Sequence, residues 1–418
     1  MTIEDTELEN LINDIEFEKC EKLQVGDILH FDLNTQITLK KMIKSIYCII
    51  RNNYMGNYNY EIVGNPNMLM LFSNAYADRQ DHWKAFNKVC LTTTDYIKIF
   101  PKRYRLDSNL HTFKLTYKWI KTFKILGMNT KRALYLARIL HQAYCDYERV
   151  RRILLRTSIE VKSAVTWCDI MYVDSYFVQR WNQRGIITVS LQHGTYNVGH
   201  YGYTHLKSDY LLAQNKFSAN NAVKSGVDVK KIVVVGAPQN IQVNYNKKRE
   251  DNTGIIGLVF GGTRLAQNDI ELLMLARQLT ARYNYKVYIK LHPGYGIEKY
   301  KMDITKYAEK IYESDTDAYQ FADLVDILID DGSTLFVEYS VRGRNAITFL
   351  GDGSPYKDDP NIKLGFRTYE ELEDIYKIYE TDSKQFDELL RQNREYLGTI
   401  NDPYVNYKEF FDKIKNKK

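Results

Sequence analysis

The stretch "CDIMYVDSYFVQRWNQRGIITVSLQHG", residues 168–194, decides the fold class. "CDIMYVDS" (168–175) reads as a strand, "YFVQRWNQRG" (176–185) as a helix closed by Gly185, and "IITVSLQ" (186–192) as a second strand. A strand, a short helix and a strand make a βαβ unit, which requires a parallel pair. The second strand runs straight into His193 and Gly194, followed by the hydroxyl of Thr195.

The pattern repeats downstream. "DYLLAQN", a helix from about Ser218 to Lys224, and "KIVVVG" continue the first sheet. A polar stretch, "NYNKKREDNTG", then separates two halves. The second half reads "IIGLVF", the turn "GGTR", the helix "NDIELLMLARQLTARY", and the strand "KVYIKLHP". "DILIDD", the turn and helix "GSTLFVEYSVRG", and the strand "NAITFL" follow. Two successive α/β halves with parallel sheets are therefore expected.

Upstream, "NMLMLF" (67–72) reads as a strand end feeding a loop, and residues 1–45 as an acidic helical or irregular lead-in. Residues 111–158 read as helical, with Leu136, Ile139, Leu140, Ala143, Tyr147, Val150 and Leu154 recurring at helical spacing. The end, "VNYKEFFDKIKNKK", reads as an amphipathic helix with a basic tip. The domain expectation is 1–245 for an N-terminal α/β domain with a basic helical insertion at about 101–160. Residues 246–400 form a C-terminal α/β domain, and 401–418 the last helix.

Composition agrees. A chain of 418 residues exceeds one ordinary core, and 44% hydrophobic with 26% charged residues fits a globular protein. Only 7 prolines among 418 residues argue against long linkers. The cysteines, Cys20, Cys48, Cys90, Cys145 and Cys168, are odd in number and contain no CxxC pair. They read as reduced thiols of a cytoplasmic chain rather than a disulfide framework or a zinc site. No signal peptide is visible at the start, and no run of 18 apolar residues occurs.

The net charge of +6 is uneven. Residues 101–160 hold 14 Lys or Arg against 4 Asp or Glu. Within them, "FKLTYKWIKTFKIL" (113–126) interleaves lysines with aromatics. Nucleic acid, an anionic membrane surface, a lipid-linked phosphate and a plain solvated helix all suit that pattern. No nucleic-acid module accompanies it, so peripheral contact with an anionic membrane surface or the acceptor is favoured.

Ligands of open parallel sheets bind outside the carboxyl ends of the strands. Those ends carry His193–Gly194, Gly236–Asn240, Gly261–Arg264, His292–Pro293 and Asp331–Thr334. His193 suits a general base, a hydrogen-bond donor to a phosphate or a core histidine held by a backbone carbonyl, Gln192 a structural place, and His292 a phosphate contact or a turn. In "DDGSTLFVE", Gly332 permits close approach, and Ser333 or Thr334 caps a helix whose free N–H groups attract phosphate. Glu338 stands four residues past Thr334, so it is no capping-box partner; it can receive ribose hydroxyls or sit in solvent. In "FGGTR", Gly262 and Thr263 form a turn without dinucleotide-fingerprint spacing, and Arg264 can pair with a diphosphate. Asp315 and Asp317 read as a solvated loop, and no His/Cys cluster has metal-ligand spacing.

Together "LQHG", "KLHP" and "DDGSTLFVEYSVRGRNAITF" resemble the bacterial surface-polysaccharide transferases of the GT-B fold. These are capsule glycosyltransferases and teichoic-acid glycerophosphotransferases, and the likeness covers roughly residues 165–350. The resemblance implies two Rossmann-like domains facing across a cleft, and a nucleotide-activated donor held mainly by the second. It implies His193 on the acceptor side, and His292, Ser333 and Thr334 on donor phosphate, with Glu338 at the ribose. It also implies a glycan or lipid-linked acceptor, no bound metal or other cofactor, and no nucleic-acid partner. Teichoic-acid members follow the histidine and glycine with threonine, then proline and lysine. Here Thr195 is followed by Tyr196 and no nearby lysine, which favours sugar transfer over transfer of glycerol- or ribitol-phosphate from a CDP donor. A nucleotide-sugar 2-epimerase and a non-catalytic membrane-recruited scaffold complete the alternatives.

Overall fold

The computed structural model describes residues 37–52, 58–63, 68–71, 96–101, 110–156, 161–166, 169, 172–192, 194–237, 253–262, 265–292, 295–313, 316–398 and 402–416. His193, Thr263, Arg264 and Asp315 lie outside the described residues, as do 238–240 of "GAPQN" and most of the lead-in at 1–45.

Helix α1 (Leu39–Asn52) precedes strands β1 (Tyr58–Val63), β2 (Met68–Leu71) and β3 (Tyr96–Pro101). Then come α2 (Leu110–Ile125), α3 (Thr130–Arg156), β4 (Ser163–Thr166), α4 (Tyr172–Asn182) and β5 (Ile187–Leu191). The short α5 (Tyr201–Thr204) leads to β6 (Tyr210–Ala213), α6 (Lys216–Lys224) and β7 (Ile232–Val234). Strand order in this first sheet is β1-β3-β2-β4-β5-β6-β7. Pairings β3–β2, β2–β4 and β4–β5 are parallel, while the edge pair β1–β3 is antiparallel.

The second half runs β8 (Ile255–Val259), α7 (Ala266–Tyr283), β9 (Lys286–Lys290), β10 (Lys310–Tyr312), α8 (Ala318–Asp323), β11 (Ile327–Asp330), α9 (Thr334–Val341), β12 (Ala346–Phe349) and β13 (Gly365–Phe366). Helices α10 (Tyr369–Thr381), α11 (Ser383–Leu397) and α12 (Pro403–Lys415) complete the chain. Strand order is β10-β9-β8-β11-β12-β13, and every pairing is parallel. Numbered within the half, that is 3-2-1-4-5-6, the order of dinucleotide-binding sheets. Such an order reverses between its first and fourth strands, here β8 and β11. A crevice opens there at the carboxyl ends.

The α/β class with two parallel-stranded sheets is as the sequence indicates. The described residues fall into two compact units. One is drawn from Met1–Leu191, His205–Leu211 and Phe410–Lys418, the other from Gln192–Thr204 and Leu212–Glu409.

One element differs from expectation. The strand slot assigned to 168–175 belongs to "SAVT", β4, whose four side chains are all buried. Tyr172–Ser175 instead open α4. The reason lies in burial. Asp174 to Val178 and Trp181 are all buried, so the first turn of α4 carries no exposed polar side to mark where the helix starts; the rest of the helix is as the sequence indicates. β4 carries small and hydroxyl side chains, which give little hydrophobic signal.

The second sheet is covered on both faces. Ile256, Leu258, Ile289 and Ile329 point to one side with Leu272, Leu273 and Ala276 of α7. Val259, Leu328 and Ala346 point to the other with Phe336 and Val337 of α9. Each fully buried aliphatic side chain contributes about 1.5–3 kcal/mol of transfer free energy. Burial on both faces is why these strands read as continuous apolar runs.

Candidate functional site

The two strands at the switch point end on polar turns. After β8 come Gly261 and Gly262; after β11 come Asp331, Gly332 and Ser333. Gly262 has φ +56, and a Cβ there would stand 2.5 Å from Tyr295 Cβ and 3.2 Å from His292 Cβ. The turn after β8 is thereby pressed against the "KLHP" end of β9. Gly332 has φ +102, and a Cβ there would meet Ser354 Cβ at 2.8 Å. Only glycine fits either position.

Beneath these turns lie three buried carboxyl groups, Asp269, Asp330 and Asp331. Asp330 Oδ1 accepts from the amides of Gly332 at 2.6 Å and Ser333 at 2.7 Å, and its Oδ2 accepts from the Ser333 hydroxyl. Asp269, in the first turn of α7, accepts from the amides of Gly261 at 3.0 Å and Gly262 at 2.9 Å. It also accepts from the Tyr300 hydroxyl at 2.7 Å. Asp331 Oδ2 accepts from the Gly261 amide at 2.9 Å.

Burial raises all three carboxyls. Asp330 is pushed up to about 7 by burial, against which its hydrogen bonds to Ser333 and Gly332 act. Asp331 is held well above the carboxylate range by burial and by the charges of Asp330 and Asp269. Asp269 is raised by burial and lowered by its bond to Asp331. Burial and the two neighbouring carboxyls thus favour the protonated form of Asp331.

Ser333 is the N-cap of α9; its Oγ accepts from the Leu335 amide at 3.2 Å. The sequence anticipates free amides at this end. Two of them, on Gly332 and Ser333, are taken by Asp330. The hydroxyl of Thr334 instead faces the loop after β5: the Thr195 amide lies 3.4 Å from Thr334 Oγ1. Tyr356, fully buried, locks the same corner. Its hydroxyl donates to the Ser333 carbonyl at 3.0 Å and lies 3.4 Å from Thr195 Oγ1. "HGT" and "GST" thus meet, although 139 residues separate Thr195 from Thr334.

The loop after β5 is held from below. Gln192, buried, donates to the Gly194 carbonyl at 2.6 Å and to Ser218 Oγ at 2.9 Å, and accepts from the Gln214 amide at 3.1 Å. Tyr196 is buried, stacks on His200 with ring centroids 4.1 Å apart, and its carbonyl accepts from Asn221 at 3.1 Å. Packing therefore accounts for tyrosine at position 196.

Glu338, one turn into α9, accepts from the Tyr319 hydroxyl, and the Arg342 guanidinium sits 3.6 Å from the Tyr319 ring centroid. Burial and the Glu338 charge push the Tyr319 hydroxyl up. His292 is half-buried just past β9, and its carbonyl accepts from the Tyr295 amide at 2.9 Å. Asp317 is not a free loop acid: it caps α8, accepting from the Tyr319 and Gln320 amides at 2.9 and 3.0 Å.

The structure thus brings Gly262 beside His292, and Ser333 and Thr334 beside Thr195. Sequence reasoning missed Asp269, Asp330, Tyr300 and Tyr356 as parts of this corner. For Asp330 the signal was present in "DILIDD", a polar pair closing an apolar strand. Tyr356 had none.

No protein-family model matches the chain, and no curated protein matches it. Solved structures do. A UDP-N-acetylglucosamine 2-epimerase is similar over 85% of this chain and 97% of its own, at 10% identity and a TM-score of 0.50. The UDP-GlcNAc 2-epimerase from Methanocaldococcus jannaschii is similar over 83% of this chain and 98% of its own, at 13% identity and a TM-score of 0.46. The glycotransferase of kitacinnamycin is similar over 67% and 82%, at 11% identity and a TM-score of 0.44. At such identities the likeness is one of fold: α/β, GT-B-like, with two parallel-stranded sheets.

Proposed function

We propose that the chain transfers a sugar from a nucleotide-activated donor to a growing bacterial cell-surface polysaccharide, at the cytoplasmic side of the membrane and without a bound metal. One observation carries the reading: the loop that follows His193 and the start of α9 at the switch point of the second sheet share a hydrogen bond, Thr195 to Thr334. The reading takes His193, two residues before Thr195 in the sequence, as the acceptor-side member of the same site. In this reading His193 removes the proton of the acceptor hydroxyl. The freed oxygen bonds to the sugar carbon as the bond from that carbon to the donor phosphate breaks, and the nucleoside diphosphate leaves. In the same reading Ser333, Thr334 and His292 hydrogen-bond the phosphates, and Gly262 with Thr263 and Arg264 after it in the sequence supply further donor contacts. Charge that develops on the departing phosphate is met by donors fixed in advance. Glu338 accepts from the ribose hydroxyls in place of Tyr319.

A thermal-shift panel of CMP, CDP, UDP and GDP tests the donor half. A nucleotide at a hundredfold of its Kd stabilises the fold by about 2.7 kcal/mol, so one member should raise Tm well above the others. No shift with any of the four would overturn the assignment. His193→Ala should lower turnover by ~10²-fold or more while leaving that nucleotide shift intact.

A second reading, 2-epimerisation of a nucleotide-sugar, draws on the structure at TM-score 0.50, which is a UDP-N-acetylglucosamine 2-epimerase. That chemistry needs carboxyl groups beside the sugar. Asp269, Asp330 and Asp331 are buried behind the glycine amides they hold. A new sugar isomer formed from the donor alone would establish epimerisation. Release of a nucleoside monophosphate from a CDP-polyol would establish polyol-phosphate transfer instead.

A further inference from the structure

Asn268, the third residue of α7, is 3% exposed. Among the described residues its amide nitrogen has no hydrogen-bond partner. The buried Asn393 also has an unsatisfied amide nitrogen, but its oxygen accepts from the Lys363 amide at 2.7 Å. Burying an amide without a partner destabilises a fold, and a leucine of similar shape would fill the place without that penalty. The fold itself therefore gives no reason for asparagine at this position, and a ligand does.

The side chain stands at the carboxyl edge of the second sheet. Helix α7 begins just past β8, and no side chain caps it. The loop after β12, residues 351–354, closes on this helix start. A Cβ on Gly351 would stand 3.1 Å from Asn268 Cγ, and one on Gly353 would stand 3.5 Å from Cδ2 of Leu265, the N-cap. The far end of the loop reaches the start of α9: a Cβ on Gly332 would meet Ser354 Cβ at 2.8 Å. Three steps of chain, at most about 10 Å, thus link the Asn268 contact to the Gly332 contact. The Asp352 carboxylate pairs with Lys357 and is 93% exposed, so it leaves the inner side of the loop to backbone. Asp269 and Asp331 already set carboxyl groups against the β8 turn beside this helix start, which opposes a further anion. A neutral hydroxyl suits the place. It both donates and accepts, and a carboxamide that turns readily about its last bond offers it two donors and an acceptor. Given the nucleotide-sugar reading above, on which this rests, we infer that Asn268 and the loop at 351–353 form the subsite for the hydroxyls of the donor's sugar, with Asn268 as a specificity-determining residue.

Thermal unfolding of the full chain, wild type against Asn268→Leu, reads this with paired ligands. The pairs are UDP with UDP-glucose and UDP-N-acetylglucosamine, GDP with GDP-mannose, CDP with CDP-glucose, and CMP with CMP-N-acetylneuraminate. Without ligand, Asn268→Leu should melt roughly 2–4 °C above wild type, because an unsatisfied amide leaves the core. The nucleotide that shifts wild type should shift the variant equally. Its nucleotide-sugar should bind the variant about three- to tenfold more weakly than wild type, which is the loss of one hydrogen bond. Asn268→Ala, a smaller replacement, should show the same split between nucleotide and nucleotide-sugar. Loss of unliganded stability in both variants would make Asn268 a structural support. An equal loss for nucleotide and nucleotide-sugar would assign it to the phosphates, and unchanged nucleotide-sugar binding would remove it from the site. Each of these results overturns the inference and leaves the donor reading standing. No shift of wild type by any nucleotide or nucleotide-sugar would overturn that reading, and the sugar subsite with it.

Discussion

The Thr195 amide lies 3.4 Å from Thr334 Oγ1, and this contact joins the loop after β5 to the N-terminus of α9. Thr334→Val keeps the shape of the side chain and removes the acceptor. Both residues are half-buried, so water replaces part of what is lost. The expected cost is about 1 kcal/mol, a Tm drop of roughly 2–4 °C. Thr334→Ser should stay near wild type in Tm and in nucleotide binding, while Thr334→Val should also weaken the nucleotide. Equal Tm and equal nucleotide affinity in both variants would show that the hydroxyl does neither job.

Tyr356 has a larger expected effect. Its ring packs between Phe217 and Phe336, with centroids 5.1 and 5.2 Å away, and its hydroxyl serves the Ser333 carbonyl. Tyr356→Phe preserves the packing and orphans that carbonyl, at a cost of about 1–3 kcal/mol. Tyr356→Ala also leaves a cavity and should cost roughly 3–5 kcal/mol. Urea unfolding at constant m-value measures both. Identical midpoints for wild type and Tyr356→Phe would refute the hydrogen bond.

Two glycines of the corner should respond in opposite ways. Gly332→Ala meets a positive φ of +102, with Ser354 Cβ at 2.8 Å and its backbone Cα at 3.1 Å. Left-handed backbone alone costs an alanine about 1–2 kcal/mol, and the backbone contact cannot be relieved by trimming Ser354. Gly332→Ala should therefore be strongly destabilised, and adding Ser354→Ala should not restore it. At Gly194 the nearest atom to an added Cβ is Thr334 Oγ1 at 3.8 Å, which is ordinary contact. Gly194→Ala should leave Tm unchanged, and if the proposed transferase reading holds it should reduce turnover, because that reading has substrate pass close to Gly194. Thermal unfolding of the three variants, with turnover for Gly194→Ala, decides this.

The second half was legible because its strands are buried on both faces. "IIGLVF", "KVYIKL" and "DILID" are continuous apolar runs, and each ends on a glycine, histidine or aspartate that marks the carboxyl edge. The first half was less so. β4 is "SAVT", with no bulky side chain to announce it, and the first turn of α4 was read as a strand end. At the site, residue types were legible and partners were not. "DDGST" suggested amides open to a phosphate, and nothing local says that Asp330 folds back to take two of them. Tyr356 reaches Thr195 across 161 residues, a distance that leaves no local sequence trace.

Asp330 should make stability depend on pH in a specific direction. In the unfolded chain its carboxyl titrates near 3.8, and in the fold burial pushes it up to about 7. The folded state thus holds a proton over this window that the unfolded state has released. The associated stabilisation is complete below about pH 4 and is lost as pH rises through about 7. The charge of Asp269 adds to the effect of burial, and the neighbouring groups Asp331, Tyr339 and Tyr356 are themselves pushed up, first by burial and further by the Asp330 charge. Asp330→Asn keeps an oxygen for the Gly332 and Ser333 amides but cannot ionise. Its Tm should lie near or below that of wild type at about pH 5 and gain on wild type steadily toward about pH 8. Removing the Asp330 charge also eases ionisation of Asp331, so the difference between the two Tm curves reads Asp330 together with that neighbour. Parallel curves across that range would show that Asp330 stays ionised in the fold, and would return it to the role of an ordinary carboxylate cap.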